Sequence, residues 1–172
     1  MKMKRHIIGA FLLASVTPIF AQIGAPDHDS PADQCRKLLI ESAAAIDSGE
    51  YDAALVFLDS VFRRDPSYSE AYYYKAMILG WRGDTTAAME LLANGIEKSS
   101  QSAILKLLLT RFLVSRRSYD KAWELIDSIL AVNPQVGEAL YLKGVILREK
   151  GDTVNAVKMF QKALEISAGR LR

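Results

Sequence analysis

Residues 50–66 read EYDAALVFLDSVFRRDP, and residues 118–134 read SYDKAWELIDSILAVNP. Each holds Tyr-Asp, an alanine two residues on, then Asp-Ser and a closing proline. The two stretches start 68 residues apart, two steps of 34. Working outward in steps of 34, Ala54, Ala88, Ala122 and Ala156 fall in one column, and Leu58, Leu92, Ile126 and Phe160 in a second. A third, twelve residues before the alanines, holds only small residues: Ser42, Ala76, Thr110 and Gly144. Gly49, Gly83 and Gly151 mark a turn, with Arg117 as the exception. Four units tile 35–68, 69–102, 103–136 and 137–170 without insertion. Self-similarity at this period is the mark of a stacked solenoid.

Each unit reads as two helices. In the fourth, Glu138–Lys150 has helical apolar spacing, Gly151 suits a left-handed helix end, and Asp152 suits the N-cap of a second helix over about Thr153–Ile166. The small and large columns then mark where paired helices approach closely. Pro66 and Pro134 close two units, because proline cannot continue a helix. Ser30-Pro31-Ala32-Asp33 resembles a capping box with proline at the first helical position, so the first helix is expected to start near Pro31.

With these columns in place, the chain resembles the tetratricopeptide repeat (TPR) family over residues 35–170. The resemblance rests on the small column from Ser42, the alanine column from Ala54, the large apolar column from Leu58, and prolines 66 and 134. It departs from the family pattern at Lys106, where a large residue is usual, and at Glu41, Lys75 and Lys143, where leucine is usual. Gly95 stands in for alanine, and Ser100 and Ala168 for proline. The resemblance implies an all-α fold, a right-handed α-solenoid of four helix-turn-helix repeats within a domain spanning 31–172. It also implies a concave groove, lined by the first helix of each unit, that binds peptides or helices.

The groove columns follow from the repeat. One row holds Leu39, Tyr73, Leu107 and Tyr141, the next Ala43, Met77, Arg111 and Val145, and a third Ile46, Gly80, Val114 and Arg148, with Trp81 at the rim. Such a groove is apolar and aromatic, with Arg111 and Arg148 as charges, and aromatic residues with arginine are usual anchors of interfaces. Arg111 is expected to be available to one acid on a ligand. Family members that clamp a terminal carboxylate use asparagines in the row that here holds Ala43, Met77, Arg111 and Val145, so that ligand is not expected.

The ends differ from the middle. MKMKRH, the apolar run Ile7–Phe20 and Ala21 read as a secretory signal peptide over 1–21, with an uncleaved anchor as the alternative. Residues 22–30 read as a flexible leader. Of 22 basic and 20 acidic residues, Lys2, Lys4 and Arg5 lie in the signal segment, which has no acid, so the remainder is close to neutral. No basic excess is left for nucleic acid. Cys35 is the single cysteine, so no internal disulfide forms, and it reads as a half-buried small residue. On the last helix, Val157, Leu164 and Ile166 would face the place of a next repeat, and are candidates for an end interface with a partner or a second copy.

No chemistry-bearing pattern emerges. There is no phosphate loop, His/Cys ligand spacing or nucleophile element. His28, between Asp27 and Asp29, reads as solvated leader rather than a metal site. No enzyme activity, cofactor or metal is expected. The sequence points to a non-catalytic exported adaptor, periplasmic or secreted, that binds an apolar or aromatic segment of a protein through its groove. The alternative is a structural subunit of an envelope or secretion assembly that uses the last helix or the convex face.

Overall fold

Ser30 starts the first helix: its hydroxyl accepts the amide of Asp33 at 3.1 Å, and Pro31 supplies a helical φ with no donor to satisfy. The Asp33 carboxylate accepts from the Ser30 hydroxyl at 2.6 Å, where a longer acid would reach back to the Ser30 amide. The computed structural model describes residues 30–169 and places eight α-helices among them. These are α1 (Pro31–Asp47), α2 (Tyr51–Arg64), α3 (Ser69–Trp81), α4 (Thr85–Lys98), α5 (Ala103–Ser115), α6 (Tyr119–Val132), α7 (Gly137–Glu149) and α8 (Thr153–Gly169). The expected signal peptide over 1–21, and the leader up to residue 29 with His28, lie outside the described residues.

Each unit is a helical hairpin closed by the same turn. The amides of Glu50, Asp84, Ser118 and Asp152 donate to the carbonyls of Ala45, Leu79, Leu113 and Leu147 at 2.8–2.9 Å. This five-residue reach is the Schellman closure, and it needs a left-handed residue just before it. Gly49, Gly83 and Gly151 supply φ of 77°, 84° and 86°; Arg117 supplies 57° with a full side chain. Asp84 and Asp152 then cap α4 and α8 through the amides of Ala87 and Asn155. The Asn155 bonds hold the Asp152 carboxyl below the usual carboxylate range.

Within a hairpin, the small column meets the large one. The sharpest case is the fourth, where a Cβ on Gly144 would lie 2.6 Å from the ring of Phe160: the smallest residue of its column faces the largest of the other. Gly95 has a different reason. A Cβ there would meet the Tyr72 ring at 2.7 Å and Leu105 at 2.9 Å, so the missing alanine makes room for an aromatic that the other units lack. Tyr72 is buried, and its hydroxyl donates to the carbonyl of Pro66.

Stacking is local: each odd-numbered helix touches the next odd-numbered one, and each even-numbered helix touches the first helix of the following unit. The core is therefore a row of three apolar clusters along the stack rather than one centre. The lysines that replaced leucine bridge units. Lys75 binds Asp59 and Lys143 binds Asp127, both at 2.7 Å, and Lys143 also lies 4.4 Å from the Trp123 ring centre. Cys35 is fully buried rather than half-buried, and burial pushes its thiol pKa up.

Candidate functional site

The expected groove residues lie on the first helices of the units, α1, α3, α5 and α7. Between α3 and α5 lies an open cleft lined by Met77, Gly80, Trp81, Leu108, Arg111, Phe112 and Ser115. Gly80 shapes it: a Cβ there would come within 2.7 Å of the Phe112 ring, so only glycine lets the two helices close at this level. Trp81, the last residue of α3, remains 52% exposed and leans on Tyr51 with ring centres 5.6 Å apart. The cleft thus offers an aromatic edge, a thioether and an aromatic floor, adaptable surfaces for an apolar side chain.

Arg111 is not the free charge that the sequence suggested. Its Nε donates to Glu138 at the start of α7, so the guanidinium bridges two units. That hydrogen bond raises its pKa further, and Tyr73 contributes in the same direction. The acid lies 27 residues away in the chain, a separation that column-by-column reading does not flag. Arg148 is likewise paired, with Glu149 at 3.1 Å, but it stays more than half exposed.

The other expected groove residues are spread. Leu39 and Leu107 are half-buried and pack against the first and second core clusters; Ala43 and Val145 are also half-buried. Tyr73 is half-buried, edge-on to Tyr74 with ring centres 5.5 Å apart. The structure therefore gathers Met77, Gly80, Trp81 and Arg111 of the expected groove residues in one cleft and leaves the others outside it. It adds Leu108, Phe112 and Ser115, which the sequence reading had not singled out. Phe112 belongs to the column of Ala44, Ile78 and Ile146, which packs toward the preceding unit, so its floor position depends on Gly80 opposite.

Tyr141 lies apart, 54% exposed, in a second cleft with Gly137, Glu138, Phe160, Ala163, Leu164 and Ser167. Val157 and Leu164 are exposed at 49% and 69%. Ile166 departs from the expected end face: it is half-buried, with its Cγ2 3.5 Å from where a Cβ on Gly137 would stand, so it belongs to the contact of α8 with α7. Val154, 69% exposed, was missed.

Among the described residues, no group of three or more His, Cys, Asp or Glu side chains is placed to hold a metal ion, and no helix is long and apolar enough to cross a membrane.

A family model described as tetratricopeptide repeat matches residues 42–103 and 111–170. No curated protein sequence matches the chain. Among solved structures, MamA is 26% identical with a TM-score of 0.67, covering 80% of each chain. The pilF protein of Pseudomonas aeruginosa superposes with a TM-score of 0.72 at 17% identity, over 79% of this chain and 62% of that one. YrrB, described as a TPR protein with an unusual peptide-binding site, gives 0.61 at 18% identity, over 80% of this chain and 70% of that one. At such identities the last two likenesses speak for the fold.

Proposed function

The chain belongs to the tetratricopeptide repeat family, and we propose that it is a non-catalytic exported adaptor that receives an apolar or aromatic side chain of a partner protein in the cleft between α3 and α5. The observation that carries this reading is the exposed Trp81 beside Met77 and Phe112, at a close helix approach that Gly80 permits. An exposed indole at the mouth of a cleft gains most when a partner covers it. Helices on both sides hold the cleft before binding, which lowers the ordering cost. Because Glu138 already neutralises Arg111, the preferred ligand anchors by apolar area rather than by a carboxylate. An acid on the ligand would have to displace Glu138 first. The exported part of the reading is supported by the basic lead and apolar run of residues 1–21.

The test is capture from envelope extract, using wild-type protein and a Trp81→Ala/Met77→Glu variant whose helicity is checked by circular dichroism. A partner captured by the wild type and lost by the variant supports the cleft; equal capture by both overturns it. The amino terminus of the protein recovered from the envelope tests export separately: Gln22 is the expected first residue.

A second reading, a structural subunit acting through α8, is favoured by the exposure of Val157 and Leu164.

A further inference from the structure

Helix α8 presents an exposed apolar stripe: its counterparts on α4 and α6 are half-buried in the Val157 and Leu164 columns, and exposed but not large and apolar in the Val154 and Gln161 columns. Val154, Val157 and Leu164 are exposed at 69%, 49% and 69%, and Gln161, also exposed, completes the spacing of three and four residues. That spacing is the seam of a two-helix coiled contact, with one polar position inside it. In the interior, Ile96 and Leu130 occupy the Leu164 column and are packed against the following unit. Among the described residues nothing covers the stripe.

A second copy stacked end to end does not fit there. Its α1 would bring Lys37 to the place where Ala71, Leu105 and Ala139 are fully buried. It would bring Glu41 against Gln161, where the interior pairs Lys75 with Asp59 and Lys143 with Asp127. It would bring Ser48 against Val154, where the interior pairs Arg82 with Asp52 and Lys150 with Asp120. Three column positions thus oppose open-ended growth.

An antiparallel copy of α8 does fit. Lys158 and Glu165 are both exposed and flank the stripe on the side away from Phe160, two turns apart. A two-fold axis at Gln161 sets Lys158 of each copy against Glu165 of the other, Val157 against Leu164, and the two Gln161 amides against each other. A parallel pairing would place this flank of the two copies on opposite sides of the seam, setting Lys158 beside Thr153 and Glu165 beside Phe160 and pairing no charges. The charges therefore complement each other in the antiparallel sense alone, and the pairing is isologous, with the same surface used by both copies.

We infer that α8 is a homodimer interface, formed by antiparallel pairing of the Val154–Val157–Leu164 stripes about Gln161. One helix face buries little area, so the association is weak, with a dissociation constant on the order of 10–100 µM. This surface is separate from the Trp81 cleft, and each proposal stands or fails without the other.

The test is sedimentation velocity of the full chain across that concentration range. The expected result is a monomer–dimer equilibrium that Leu164→Asp abolishes while leaving the thermal melt of the monomer unchanged. The decisive pair is Lys158→Glu and Glu165→Lys. Each alone sets like charges across the axis and is expected to weaken dimerisation at least ~10-fold. An equimolar mixture of the two restores complementarity and is expected to recover the dimer. A monomer at every concentration overturns the inference. So does a dimer indifferent to these substitutions, two single variants whose mixture stays monomeric, or assembly that continues beyond two copies.

Discussion

The second and fourth repeats are written in the same columns, but their outer faces have different surroundings. Tyr73, Met89 and Ile96 on α3 and α4 are half-buried and packed against the core clusters beyond them. Their counterparts Tyr141, Val157 and Leu164 on α7 and α8 are 49–69% exposed. The N-terminal end solves the same problem by sequence. Where α3 has Ala71 and Ile78, α1 has Lys37 and Ala44, leaving Ile40 as the large apolar residue exposed on α1. One end of the stack is chemically capped and the other keeps interior chemistry. In a solenoid, the same column is core or surface according to its place in the stack.

The difference extends inside the hairpins, where the largest effect is expected. Repeat two pairs Ala76 with Leu92, and repeat four pairs Gly144 with Phe160. Gly144→Ala should destabilise the protein by about 1–3 kcal/mol, because the new Cβ falls on the Phe160 ring. Gly144→Ala with Phe160→Leu rebuilds the second repeat's pair in the fourth. It should recover the loss and add the helix propensity of alanine over glycine, about 1 kcal/mol. Urea unfolding of the three proteins checks this; additive losses would mean that the columns do not meet as described.

Next in size is the outer face. Ile96→Ala removes a half-buried side chain packed against the cluster that holds Leu105 and Leu108, and should cost about 1–2 kcal/mol, less than a fully buried truncation. Leu164→Ala in the same column should change monomer stability by less than about 0.5 kcal/mol. Equal losses at the two sites, measured at a concentration where the protein is monomeric, would break the comparison between interior and end.

The turns offer a third contrast. Three of the four Schellman turns use glycine, and the third repeat forces Arg117 to φ 57°. Arg117→Gly should raise stability by about 1 kcal/mol by relieving a left-handed side-chain residue. An unchanged or lower melting temperature would show that the Arg117 side chain compensates for its own strain.

Periodicity made the hairpins, their turns and the buried columns legible, because those follow from which residues recur every 34 positions. What was not legible were pairings that depend on departures from the repeat. Gly95 answers Tyr72, and Gly80 answers Phe112, each across a helix contact that no column states. Arg111 had the right place and the wrong availability, since Glu138 comes from the next unit's first turn. Ile166 was placed on the end face and Val154 was not named because the helical phase was not carried along α8: at about 100° per residue Ile166 lies on the side opposite the Val157–Leu164 stripe, and Val154 lies on the same side as that stripe.

The smallest expected effect lies on the rims, and its smallness is informative. Asp52 with Arg82 at 2.6 Å, Thr86 with Arg116 at 3.1 Å and Asp120 with Lys150 at 2.9 Å join successive units at equivalent positions. Their regularity suggests that they set the pitch of the stack. Their exposure argues otherwise: the Asp52 and Asp120 side chains are 92% accessible, and such pairs contribute little in water. Asp52→Ala with Asp120→Ala should therefore lower the melting temperature by no more than about 2 °C, a difference that shrinks further in high salt. A drop several times larger would mean that charged links, rather than apolar columns, hold the units in register. Val154 takes the acid's column on α8, so Val154→Asp tests the same point from the other side. It should leave the monomer's melting temperature unchanged, because this column adds register only where a cation faces it and the apolar columns already hold the hairpin.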